Sequence, residues 1–381
     1  MEYVSLGNIV DIYLGITHTP EYVSEGVPFL SVKDISKGKI DFSNCKYISV
    51  DEFDSFPKGA KPQKGDILFC RVGTIGKPII IPDDVPCFGS FVSLGFLRLK
   101  SNNWNPKFIK YWMESDLFWK QVKQNTKGAS QVNLNTNWLK KFIIPYYSIE
   151  IQNKMVDKLD KIANLIIINN LYLNNLDNIV KSQFIEMFGD CDNYDLIGNV
   201  LHICRGASPR PISNYITSNE DGENWIKIGD VDENSLYITS TEERITKEGA
   251  LKSRTVKPGD FILSNSMSFG RPYILGINGC VHDGWLILTD YENTFNPLYL
   301  YHAIRDDEVQ YQFNGKANGA TVRNLNSELV RNTSIKIPSI NQQNKFSDFV
   351  KQIDKSKFIV QKQIKLLEEL LEKKMNEYFG Q

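Results

Sequence analysis

The sequence predicts an α+β fold, in which two β-rich domains alternate with two long antiparallel coiled-coil helices in a pseudo-twofold tandem repeat. Two observations predict it. The chain of 381 residues is written twice, and each copy closes on a proline-free stretch with an apolar seam at helical spacing. "KGDILFCRVGTIGKP" from Lys64 is answered by "PGDFILSNSMSFGRP" from Pro258, with the same fixed points and different residues between them. "SLGNIV" at Ser5 answers "LIGNVL" at Leu196, "NPKFIKYWM" at Asn105 answers "NPLYLYHAI" at Asn296, and "KGASQVNLN" at Lys127 answers "NGATVRNLN" at Asn318. Gly7 with Gly198, Asn105 with Asn296, Gly128 with Gly319 and Gly189 with Gly380 each stand 191 residues apart. A period of half the chain marks a domain repeat and not a solenoid.

The first element of each copy, residues 1–147 and 190–338, reads as a β-rich domain. Short apolar or β-branched runs such as "GDILFCRVG", "KPIIIP" and "FVSLGFLRL" are cut by Gly, Pro, Asn and Asp, the pattern of short strands. A helical piece over 108–122 sits within the first copy. The second element, residues 148–189 and 339–381, carries the seam. In the first copy Met155, Leu159, Ile162, Ile166, Tyr172 with Leu173, Leu176, Val180 and Met187 recur at three- and four-residue steps. In the second, Phe346, Phe349, Ile353, Val360, Leu367, Leu370 with Leu371 and Tyr378 do the same. Ser339 with Gln342 has the spacing of a capping box, and Ser148 with Glu150 places a hydroxyl and an acid at the other first turn. Gly189 and Gly380 stop the helices. A helix of about 38 residues is on the order of 57 Å long. The second helix can bury its seam against the first only by running back beside it, so a rod with a β-rich domain at each end is expected. The alternative is two helices packed separately, each on its own domain.

With 41% hydrophobic and 23% charged residues the composition is that of a globular chain large enough for two cores. A net charge of -1 announces no nucleic-acid partner, so any such partner has to be met by local patches. No run of about 18 apolar residues occurs, and Met1 leads into a polar, strand-like start, so a cytoplasmic protein without membrane contact is expected. The six cysteines lie far apart without a CxxC pair, which argues for free buried thiols and against a zinc site or disulfide framework. His202 and His282, scattered like the other histidines, read as core or surface residues. No dinucleotide loop, phosphate loop, adenine-methyltransferase motif or nuclease cluster is found, so chemistry has to come from partners.

Taken in order over the full length, "LGNIV" and "IGNVL", the two GD frames, "GASQVNLN" and "GATVRNLN", the Ile-Pro turn before each helix and "FGD" after the first resemble a specificity subunit of type I restriction-modification systems. The resemblance implies two target-recognition domains, each followed by a long helix, with the helix pair acting as a ruler between two half-sites of double-stranded DNA. It also implies no catalytic activity and no cofactor in this chain, and docking of two methyltransferase subunits, on which S-adenosylmethionine is expected. Translocating restriction subunits can join such a complex. Two rival readings are an enzyme whose site is not visible in the sequence and a rod-like scaffold that spaces two protein-binding domains without DNA specificity.

Under the DNA reading, a repeated frame with variable filling suits two readers of different base sequences. Arg71 aligns with Asn265, and Arg suits guanine O6/N7 where Asn suits adenine N6/N7; a surface ion pair and a turn cap are the alternatives. Thr74 and Ser268 lie in the same two loops. Lys77 and Arg271, each before a proline, suit phosphate contacts, or are ordinary solvated charges. The second loop offers Lys127, Ser130, Gln131 and Asn133 in one copy and Lys316, Thr321, Arg323 and Asn324 in the other, although turn chemistry also favours such residues. "GITHTP" and "GASPRP" add His18 and Arg210 near the start of each domain. From Lys100 to Lys141, eight lysines against Glu114 and Asp116 form a basic patch.

Overall fold

The computed structural model describes residues 2–35, 38–73, 75–126, 133–231, 235–265, 269–316 and 325–380. It forms two compact units, Met1–Leu171 with Gln361–Gln381, and Tyr172–Val360.

In the first unit a four-stranded antiparallel sheet runs in the order Val10–Leu14, Leu94–Leu99, Ile67–Cys70, Gly76–Ile80. The GD frame supplies its central strand. Ile67, Leu68, Phe69 and Cys70 are all fully buried, because alternate side chains enter different cores. Ile67 and Phe69 face a cluster with Phe108 and Trp112, whereas Leu68 and Cys70 face one with Leu94 and Phe96. A second sheet, in the order Tyr22–Val23, Lys46–Ile48, Val27–Leu30, Gly89–Ser90, buries Phe29 and Ile48 beside Phe56. The second unit repeats the first sheet as His202–Arg205, Trp285–Thr289, Phe261–Ser264, Pro272–Leu275, and adds Tyr237–Ile238 as a fifth strand. Its other sheet runs Ile216–Thr217, Glu243–Ile245, Glu223–Ile226, Gly279–Val281, Arg254–Val256.

The repeated Asn-Pro pairs start the helices Pro106–Glu114 and Pro297–Arg305. Asn105 accepts from the Lys107 N–H at 2.8 Å and Asn296 from the Leu298 N–H at 3.0 Å, with proline at the first helical position. Each pair also locks the domain to a long helix. The Asn105 N–H donates to Gln152 Oε1 at 2.9 Å, and Gln152 Nε2 donates to the carbonyls of Asn103 and Tyr147. Gln343 does the same with Asn296, Thr294 and Pro338. Both glutamines are 0% exposed, so every bond they make replaces one to water and an unpaired end would be costly.

The long helices span Ile149–Phe188 and Ile340–Phe379. In the first unit Val156 and Leu159, near the start of one, share a core with Tyr378 and Phe379 at the end of the other. In the second unit Val180, Phe184 and Phe188, at the end of one, share a core with Phe346 and Val350 at the start of the other. The two segments in each unit are therefore antiparallel. The buried stripe departs from the expected seam at several positions. Val156, Phe184 and Phe188 are buried where Met155 and Met187 were expected to carry the stripe, and Tyr172 and Leu370 are 48% and 41% exposed. Straight helices turn 3.6 residues per turn, so a stripe counted in strict heptads drifts away from the packed face.

Candidate nucleic-acid interface

The fixed points of the two frames are turns. Gly65 and Gly259 hold φ of 81° and 95°, in the left-handed region that only glycine occupies without strain. The following carboxylates close those turns: Asp66 accepts from the Gln63 N–H at 2.8 Å and Asp260 from the Lys257 N–H at 2.9 Å. Asp66 also takes two bonds from Arg98, at 2.9 and 2.8 Å. Thr289 stands in the Arg98 position of the second copy, and burial pushes the Asp260 carboxyl above its ordinary value. At the other end of the frames, Gly76 and Gly270 have φ of 80° and 71°, and a Cβ there would come within 3.1 Å of Trp119 and 3.0 Å of Phe313.

Between these turns, Arg71 and Asn265 occupy one structural position. Their N–H groups donate to the carbonyls of Ser93 and Gly284, and their own carbonyls accept from Leu134 and Leu325. Their side chains repeat the pattern: Arg71 Nη1 donates to the Val92 carbonyl at 2.8 Å and Asn265 Nδ2 to the Asp283 carbonyl at 3.0 Å. Val92 and Asp283 are 191 residues apart. Arg71 also donates to the Leu134 carbonyl at 3.0 Å and to Asn133 at 3.2 Å. Asn265 is 4% exposed, and burial holds the Arg71 guanidinium below its ordinary pKa. Both side chains tie a strand end to the adjacent turn and loop.

The loop that enters each domain after its first sheet strand joins the same edge. Ile16 and Ala207 donate through their N–H groups to the carbonyls of Ser90 and Val281. A Cβ on Gly15 or Gly206 would lie 2.1 Å from the Ser90 carbonyl oxygen or 2.2 Å from that of His282, so only glycine permits this approach. Each unit thus gathers three loops around one strand end. A type I restriction modification DNA specificity domain model matches residues 1–178 and 196–369, which is nearly the whole chain. The chain belongs to the type I restriction-modification DNA specificity family.

Among curated members of that family, the EcoBI specificity subunit of Escherichia coli is 26% identical over 163 residues, 41% of this chain and 34% of that protein. The MjaVIII specificity subunit of Methanocaldococcus jannaschii is 27% identical over 170 residues, 43% of this chain and 40% of that protein. The matched stretches span well under half of these relatives. Over the whole fold, 99% of the chain superposes on 97% of a chain solved in work on complex assembly and conformational transition of the type I R-M system, with a TM-score of 0.67 and 16% identity. The S subunit from M. genitalium superposes over 99% of this chain and 96% of its own with a TM-score of 0.51 and 14% identity.

Around the gathered loops of this family member, the exposed side chains are the ones free to meet a ligand. Lys77 is exposed and holds φ of 51° directly after Gly76. Asn133 is exposed and braces Arg71. Arg271 is half-buried, with its backbone bonded to Ser264. Arg210 is highly exposed and pairs with Asp283 at 3.0 Å. Thr74, Lys127, Ser130, Gln131, Ser268, Thr321, Arg323 and Asn324, together with the Lys316 side chain, lie outside the described residues. Part of the basic patch is neutralised internally. Lys107 pairs with Asp160 at 2.6 Å, Lys110 with Glu114 at 2.9 Å, and Lys100 bonds the Gly7 carbonyl at 2.7 Å with Asp11 nearby. Sequence reading missed Gln152, Gln343 and Asp283. The repeated "QNK" inside "IEIQNKM" and "INQQNKF" was a usable signal for the glutamines, whereas Asp283 has Val92 at its repeat position and left none.

Proposed function

We propose that this chain supplies DNA sequence specificity to a type I restriction-modification complex. Each target-recognition domain reads one half of a bipartite duplex site, and the paired long helices set the spacing between the halves. The observation that carries this reading is the repeated positioning scaffold. The same backbone bonds hold the same three loops in both units, while the side chains on those loops differ, as two readers of unlike half-sites require.

The chain itself performs no chemistry under this reading. Methyltransferase subunits, two per complex, carry S-adenosylmethionine and dock on the specificity subunit, and restriction subunits join the same assembly in the cytoplasm. No helix among the described residues is long and apolar enough to cross a membrane, which fits such a partner set. The test is methylation mapping in a host carrying this chain and its methyltransferase. A two-part motif with a fixed non-specific gap is expected. A complex that forms and methylates one uninterrupted motif would refute the two-reader reading, and DNA binding without any sequence preference would favour the protein scaffold.

A further inference from the structure

In the second unit the loop after the first sheet strand, the turn at Asp283 and the strand end at Asn265 carry a polar cluster for which the first unit has no counterpart. Asp283 sits at its centre. Its carboxylate accepts from Ser208 Oγ at 2.8 Å and from Arg210 Nη2 at 3.0 Å. Its N–H donates to Ser208 Oγ at 3.2 Å, and its carbonyl accepts from Arg205 Nε at 2.8 Å and Asn265 Nδ2 at 3.0 Å. The equivalent positions in the first copy are Leu14, Thr17, Thr19 and Val92 for Arg205, Ser208, Arg210 and Asp283, so no such pair can form there. The turn that carries Asp283 is also braced, with the His282 ring 6.1 Å from Trp285 and 6.3 Å from Trp225.

On the reading that these loops face DNA, we infer that Asp283 is a positioning residue that aims the Arg210 guanidinium at a base edge, and that Arg210 determines one guanine of the half-site read by the second domain. Three physical points support it. The Arg210 side chain is 78% exposed and that of Asp283 41%, so the pair stands at the surface and is not a core ion pair. One end of the guanidinium is fixed by the carboxylate, which leaves the rest of its five-donor fork to meet the two acceptors of guanine. Finally, the pair is electrically neutral, and its carboxylate would repel a phosphate placed against the arginine. Such a pair adds little to the sequence-independent attraction that phosphate contacts supply, but it fixes direction. Ser208 and the nearby arginines hold the Asp283 carboxyl below its ordinary pKa, so it is ionised at neutral pH.

The test compares the parent chain, assembled with its methyltransferase, with Asp283→Asn, Arg210→Ala and Arg210→Lys variants. Binding is measured on the duplex mapped as the parent's site, on all single-base variants of its second half, and on unrelated duplex, across a salt series. Arg210→Ala and Arg210→Lys are expected to lose roughly 5- to 150-fold discrimination at one guanine, with the first half-site unchanged. Asp283→Asn is expected to lose discrimination at that same position while binding unrelated DNA more tightly with a steeper salt dependence, because a positive charge has been unmasked. A merely structural carboxylate would not produce that opposite pair of effects. Folding of each variant is checked by its thermal unfolding midpoint. Unchanged discrimination in all folded variants, or a uniform loss on every duplex with a shallower salt slope, would overturn the inference and leave the DNA reading standing. A parent complex with no sequence preference would instead remove the reading beneath it.

Discussion

Arg71 and Asn265 look like opposite choices in sequence, a long cation and a short amide, yet both deliver one N–H to the carbonyl of equivalent residues. A residue type that suits a base edge suits a buried carbonyl equally well, and burial decides between them. Replacing Arg71 with Ala should leave the Val92 and Leu134 carbonyls without a partner and cost about 1–3 kcal/mol of unfolding free energy. Binding should weaken across the whole first half-site; a single relaxed base at unchanged stability would restore a direct reading role. Lys77→Ala should behave differently. Its exposed ammonium makes it a phosphate contact under the proposed function, so binding to all sequences should fall and the salt slope should drop by about 1, read from affinities on specific and random duplexes. His302 contributes to the acid response of the second unit, beside His282, whose pKa burial also lowers. Its ring packs edge-on against Phe346 at 5.3 Å, and burial with Arg305 and Lys357 nearby pushes its pKa down to about 3. The unfolded chain protonates this histidine near 6.5, so its stabilising share is complete above that pH and is lost as pH falls from about 6.5 toward 3. A His302→Gln variant should lose less unfolding free energy between pH 7 and pH 5 than the parent. An equal loss in both would assign the acid response to other groups.

At the scale of elements, the long helices depend on two kinds of contact. The polar lock of Gln152 and its repeat Gln343 fixes where each helix starts against its domain, and the aromatic ends fix where each stops. Phe379 lies 5.0 Å from Phe108, and Phe188 lies 4.9 Å from Tyr299, so the end of each helix docks on the helix opened by the Asn-Pro pair of the unit it reaches. Gln152→Ala should destabilise the first unit by roughly 1–3 kcal/mol, because the part-buried backbone groups of Asn105, Asn103 and Tyr147 all lose the fully buried side chain that pairs them. Chemical denaturation should show the loss, and a cost below half a kcal/mol would mean that water replaces the side chain. Under the proposed ruler, adding one heptad to both helices, after Ile162 and after Ile353, lengthens the spacing by about 10 Å, which is roughly three base pairs. Methylation mapping should then show a wider gap with both half-sites unchanged, although DNA twist has to absorb the added rotation and affinity can fall. A folded, active variant with the parental gap would remove the ruler. An insertion in one helix alone should misalign the seam and lower the unfolding midpoint.

For the whole molecule, the tandem repeat predicts modular specificity. Exchanging residues 1–147 for those of another family member should change one half of the methylated motif and leave the other, because each unit holds its loops with its own bonds. A change in both halves would show that the two readers are coupled. Much of this organisation was legible in the sequence, for a physical reason. The domain order, the two long helices, the glycine turns at Gly65 and Gly259 and the capped starts at Asn105 and Asn296 follow from local rules of backbone conformation, capping and periodicity, and those rules act within a few residues of the chain. Writing them twice made them easier to read. The candidate contacts were less legible. Whether Arg71 faces solvent or a carbonyl, whether Lys107 is free or paired with Asp160, and which face of each long helix is buried depend on groups tens of residues away in sequence. Sequence alone therefore determined the duplicated scaffold and its family, through interactions between near neighbours. Only the tertiary structure decided which polar side chains hold the loops and which, like Arg210 and Lys77, are presented by them, because that division is made by burial and long-range hydrogen bonds that no local pattern encodes.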